Sequence, residues 1–125
     1  MLNVLIVAAG GGLGAAFRHL SGLAALRLLG PGFPWGTAFV NVVGSFLMGV
    51  LVEVLARRTG ASTELRLFLA TGFLGGFTTF SSFSLDAAVL YERGDLILAA
   101  VYVAGTLLLG IAALFAGLAL VRGLG

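Results

Sequence analysis

Four stretches of the chain carry no charged side chain: residues 1–17, 28–52, 67–85 and 96–121. A helix needs about 20 apolar residues to cross a bilayer core, with a range of about 17–25. The four stretches therefore predict four transmembrane helices, over approximately 2–20, 35–55, 64–92 and 95–121. Barrel strands alternate apolar and polar residues over about ten positions, and these runs do not. The expected fold is an all-α integral membrane protein, with 1–125 forming a single four-helix domain.

Composition excludes several classes. Hydrophobic residues make up 60% and charged residues 10%, with a mean hydropathy of +1.16. A water-soluble domain has about 45–50% apolar and about 25% charged residues. There is too little polar surface here for a soluble enzyme, a nucleic-acid-binding domain or a disordered segment, and the expected surroundings are a lipid bilayer. All seven basic residues are Arg and they are scattered, so nucleic acid finds no clustered basic face. Cysteine is absent, which removes disulfides, thiolate metal sites and a Cys nucleophile. The 20 glycines suit helices whose backbones approach closely in a membrane.

The connectors are short. Gly30-Pro31-Gly32-Phe33-Pro34-Trp35 stops the first helix and offers Trp35 to the headgroup interface. Residues 56–63 form the second connector, where Ser62 or Thr63 can cap the next helix with Glu64 in its first turn. Glu92-Arg93-Gly94-Asp95 is a tight turn. The first run lacks the basic start of a signal peptide. Arg57, Arg58, Arg66 and Arg122 fall on one side of the membrane, and Arg18, Arg27 and Arg93 on the other. Four against three is a weak bias for the positive-inside rule; we expect a chain that inserts both ways and pairs antiparallel, with a weakly biased single topology as the plainer alternative.

Polar residues inside the spans are concentrated. Gly75-Gly76, Thr78-Thr79 and Ser81-Ser82 fall within eight positions of the third run. Each glycine weakens a helix by roughly 1 kcal/mol relative to Ala. We expect the third helix to be broken at mid-membrane near 75–79, although a Gly/Ser/Thr packing face is the plainer alternative. A break at membrane depth is tolerated inside protein or beside a water-filled cavity, and it frees backbone groups that bind ions. Thr37, Asn41 and Ser45 share one face of the second helix, as a polar track or as a helix–helix clamp through Asn41. Tyr102 and Thr106 repeat the spacing in the fourth, followed by Gly110. Gly10, Gly14 and Arg18 line one face of the first, with Arg18 either snorkelling at the helix end or standing at a mouth.

No carboxylate occupies runs one, two or four, His19 stands alone, and no base accompanies the many hydroxyls. Nucleophilic catalysis has no support, and the chain is not expected to be an enzyme. Hydroxyls, an amide and the positive edges of aromatic rings remain. Together with Phe73, Phe77, Phe80 and Phe83 they could line the path of a small anion, although the rings alone read as apolar filling.

The string Gly75-Gly76-Phe77-Thr78-Thr79-Phe80-Ser81-Ser82-Phe83-Ser84, with Gly36-Thr37-Ala38-Phe39-Val40-Asn41 and a Gly-rich start ending in Arg18, resembles the CrcB or Fluc family of fluoride channels. The resemblance covers all four spans in order. It implies a passive channel exporting cytoplasmic fluoride across the inner membrane, built as an antiparallel dual-topology homodimer with two pores. By the same resemblance, Phe80 and Phe83 present ring edges to fluoride and Asn41 donates from its amide, with Ser81 and Thr37 as hydroxyl neighbours. Tyr102 and Thr106 belong to the polar track, and Arg18 sits near an aqueous vestibule. The backbone carbonyls of Gly75 and Thr78 from both subunits hold a structural sodium ion. Ser82, Gly110 and Asp86 depart from the family pattern, which implies Thr, a further hydroxyl and Glu there. Whether the shorter Asp86 reaches a partner is open. A small four-helix multidrug exporter would need a carboxylate within residues 1–17, which have none. A non-transport subunit of a membrane assembly would explain the glycine seams but not the polar stripes.

Overall fold

The computed structural model describes residues 1–58 and 60–124; Thr59, inside the second expected connector, and Gly125 lie outside the described residues. The described chain is helical: α1 (Leu2–Leu29), α2 (Trp35–Arg57), α3 (Thr63–Arg66), a π-helical segment (Leu67–Leu74), α4 (Gly75–Phe77), α5 (Phe80–Glu92) and α6 (Leu96–Leu124). By length and apolarity there are four candidate membrane spans among these residues: Leu2–Leu29, Trp35–Arg57, Thr63–Glu92 and Leu96–Leu124.

The boundaries differ from expectation mainly in α1, which runs to Leu29 and not to 20. Charge ends a hydropathy run but not a helix, and Ser21–Leu29 is rich in Ala and Leu, which favour helix. Arg18 consequently lies well inside α1 and not at its end. The third span starts as the sequence reads: the Ser62 side chain accepts from Leu65 N at 3.0 Å, with Glu64 in the first turn.

Outward faces of the spans are mostly apolar. Ile97, Leu108 and Phe115 are exposed by 81%, 67% and 62%. Water tolerates no such continuous apolar surface, whereas lipid chains match it. The interior is correspondingly small and centres on Val40, Leu74 and Phe77.

Glycine seams bring the backbones together. A Cβ on Gly14 would strike Phe73 O, and one on Gly76 would strike Gly11 O. Likewise Gly49 faces Leu114 O across the α2–α6 contact, and Gly117 faces Phe46 O. Helical backbone stops at Phe77 and restarts at Phe80, with Thr78 (φ −87°, ψ 158°) and Thr79 (φ −153°, ψ 119°) extended between. Gly75 and Gly76 therefore do not themselves leave the helix; Gly76 is needed for close approach to α1.

This packing predicts that Gly14→Ala destabilises the protein by about 1–3 kcal/mol through overpacking. Gly12→Ala, where a Cβ meets nothing within 4 Å, should be neutral or stabilising. Thermal unfolding of the two variants in detergent tests the contrast.

Candidate functional site

The Thr78–Thr79 junction organises the polar side chains. In an uninterrupted helix the Thr79 N–H would donate to Gly75 O; it donates instead to Asn41 Oδ1 at 2.7 Å. Asn41 Nδ2 in turn donates to Thr79 O at 3.0 Å. Ser82 N, which would have served Thr78 O, donates to Thr79 Oγ1 at 3.1 Å, so Thr79 caps α5. Both Thr78 N (3.0 Å) and Thr78 Oγ1 (2.9 Å) donate to Leu74 O. Arg18 Nε reaches across from α1 to Gly76 O at 3.0 Å. Near a helix C-terminus a cation faces the negative end of the peptide dipoles.

These bonds place the expected residues. Asn41, Thr78, Phe80, Phe83 and Thr106 line one cavity of about 260 Å³, with Ser45 and Gly110 also in its wall. Its described lining carries no charged side chain. The Phe80 and Phe83 ring centroids lie 5.8 Å apart at 48°. Arg18 and Thr37 line a second cavity of about 300 Å³ on the other side of Thr79, together with Ser82. Ser81 is exposed and meets Thr79 Oγ1 at 3.3 Å. Gly75 is also exposed, and its carbonyl and that of Thr78, whose helical donors Thr79 N and Ser82 N bond elsewhere, lie on the same short stretch. Two carbonyls are too few to replace the water around a hard cation, so they fit a sodium site only if a second chain supplies two more. No cluster of three or more metal-ligating side chains occurs among the described residues.

Tyr102 is fully buried, and its hydroxyl donates to Asp86 Oδ2 at 3.1 Å. The shorter carboxylate therefore does reach a partner. Rings close around it: Phe83 at 5.2 Å and Phe33 at 5.4 Å, the latter edge to face. Asp86 also lines a cavity of about 320 Å³ with Thr37 and Arg93. Thr37 thus faces two cavities.

Thr79 is the residue that sequence reasoning underrated. Its signal was present, since a Thr three residues before Ser82 at the start of a helix has N-cap spacing. The Asp86–Tyr102 contact had no such signal. Asp86→Ala leaves the buried Tyr102 hydroxyl without its acceptor and should cost about 1–3 kcal/mol. Asp86→Asn retains a carbonyl acceptor and should cost less, as thermal unfolding in detergent would measure.

The chain matches the family described as CrcB-like protein, Camphor Resistance (CrcB), over residues 5–118. It is 62% identical over 124 residues to a protein of Agrobacterium fabrum named fluoride-specific ion channel FluC, covering 99% of both chains. Proteins with the same name from Rhizobium etli and Mesorhizobium japonicum are each 56% identical over 124 residues, again covering 99% of both chains. Matches of this extent leave no span unaccounted for, and the chain belongs to the CrcB-like family.

Proposed function

We propose that the chain is a passive, fluoride-selective channel that exports cytoplasmic fluoride across the inner membrane as an antiparallel, dual-topology homodimer with two pores. The observation that carries this reading is the uncharged cavity where Asn41, Thr106, Phe80 and Phe83 meet beside the interrupted third helix. Its amide, hydroxyl and ring-edge groups all present positive poles. Such a lining holds a small, strongly hydrogen-bonding anion without trapping it, as conduction requires. The names of the relatives agree with that chemistry, and a channel is not an enzyme.

In this mechanism fluoride loses part of its water in the Arg18 and Thr37 cavity and passes Thr79 and Ser82. Hydroxyl, amide and ring-edge contacts then replace the water in the Phe80 and Phe83 cavity. Chloride is larger and a poorer acceptor, and gains less from the same groups. Flow follows the electrochemical gradient, because the described cavity wall offers no carboxylate to couple it to protons.

The second copy is argued from exposure. Phe80 is 78% exposed in the single chain although its ring borders the cavity. A chain inserted upside down would cover it. The Arg count supports this less than the sequence alone indicated. With Arg18 inside α1 and bonded to Gly76, only Arg27 and Arg93 remain on the second side, against four on the first. The third helix, broken in mid-membrane, would bring Gly75 and Thr78 carbonyls from both subunits to the two-fold axis. A sodium ion bound there would supply structural charge to offset the converging carbonyl dipoles. The multidrug-exporter reading is weakened further by Glu53, which is taken up by Arg122 at 2.7 Å and Arg57 at 3.3 Å.

Purified protein in liposomes should release fluoride to a fluoride electrode, at a rate set by voltage and unaffected by a proton gradient. Phe80→Ile should abolish the flux while the dimer persists in size-exclusion chromatography. Absence of flux from the wild type, or undiminished flux in the variant, would overturn the reading.

A further inference from the structure

We propose that Asn41 is a positioning residue, which pairs with the Thr79 backbone as a one-residue strand would and keeps only one amide hydrogen for the cavity. The inference rests on the channel reading for the role of that last hydrogen, but not for the pairing itself.

The argument starts from the Thr79 backbone. At φ −153° and ψ 119° the residue is fully extended, so its own N–H and C=O point to the same side. In an antiparallel sheet such a residue exchanges both bonds with one opposite residue. No strand is present among the described residues, and the carboxamide of Asn41, 38 positions away, takes the opposite place: Oδ1 accepts at 2.7 Å and Nδ2 donates at 3.0 Å. Only one orientation of the amide satisfies both bonds. The reverse flip would oppose N–H to N–H and oxygen to oxygen.

The surrounding packing is built for this contact. Gly44 lies three residues beyond Asn41 on the same face of α2. A Cβ there would strike the Thr78 Cγ2 methyl, so Gly44 lets α2 close on the junction. Thr79 cannot regain a helical bond to Gly75 while Asn41 holds its N–H. The pairing therefore fixes three things together: the extended backbone, the released Gly75 carbonyl and the direction in which α5 leaves with Phe80 and Phe83.

A primary amide carries two hydrogens. The one on the Oδ1 side closes the ring with Thr79 O. The other remains, on a residue that lines the cavity. Asn41 thus offers an anion a single, fixed hydrogen and not a freely turning amide. Asp at this position would set a carboxylate oxygen against Thr79 O, and Gln would overshoot by a methylene.

The two Nδ2 hydrogens can be told apart by NMR of the full-length protein, labelled with ¹⁵N-Asn and ¹⁵N-Thr in nanodiscs. The Thr79 amide should exchange slowly with solvent, and Asn41→Ala should speed that exchange by roughly tenfold or more, as loss of a hydrogen bond implies. On titration with sodium fluoride, one Asn41 side-chain hydrogen should shift while the other stays in place. Equal Thr79 exchange in wild type and Asn41→Ala, or both hydrogens shifting together, would overturn the proposal. Slow Thr79 exchange with neither hydrogen moving, and no flux from the same sample, would sink the fluoride reading and leave the pairing standing.

Discussion

In an apolar medium a backbone N–H or C=O has no water to fall back on, and each one left unpaired costs several kcal/mol. Helices meet that constraint within themselves, and most of this chain does so. Between Phe77 and Phe80 it does not. There the missing partners come from side chains: Asn41 from α2, Arg18 from α1, and the Thr79 hydroxyl from the junction itself. Three spans are tied at one point because the backbone of one of them leaves the helix.

That arrangement depends on close packing. Arg18 meets Gly76 O through its Nε because α1 and the third span approach backbone to backbone at Gly14 and Gly76. Asn41 meets Thr79 because Gly44 clears the way for Thr78. The π-helical turn from Leu67 to Leu74 belongs to the same seam, with Gly72 against Val7 O and the Gly10 backbone. π-Helical segments are uncommon and gather near functional sites. The glycines and the polar groups are thus one device: small residues remove bulk so that a few polar contacts can form at a distance in sequence.

Much of this was legible in the sequence. Charge-free runs located the spans, because a bilayer penalises charge more consistently than it rewards any particular residue. α1 runs on past the end expected from its charge-free run because the Arg18 guanidinium is satisfied inside the protein at Gly76 O. The expected interruption near 75–79 spans the two extended residues, Thr78 and Thr79, but the sequence does not tell them from Gly75-Gly76, because low helix propensity and tight packing leave the same signal. For Asn41, the clamp and the track could not be separated from spacing alone. Pairing partners 38 and 58 positions apart leave no local pattern. Only the geometry shows that Asn41 clamps the junction and also borders the cavity.

Burial along the polar groups is graded, and the gradient bears on what one chain can do alone. Tyr102 is fully buried and Thr106 nearly so, with Tyr102 anchored to Asp86. Toward the junction, Asn41 and Thr78 are half-buried, and Phe80, Ser81 and Gly75 are exposed. The single chain encloses Tyr102 and Thr106 and leaves Phe80, Ser81 and Gly75 open to whatever lies beside them. Lipid there would set hydrocarbon against the freed carbonyls of Gly75 and Thr78, which the apolar medium disfavours. In the proposed dimer a second copy would bring the same hydroxyls, carbonyls and rings to that face. The proposed pairing therefore answers the requirement that shaped the junction in the first place: polar backbone needs polar company, and another molecule of the same chain can provide it.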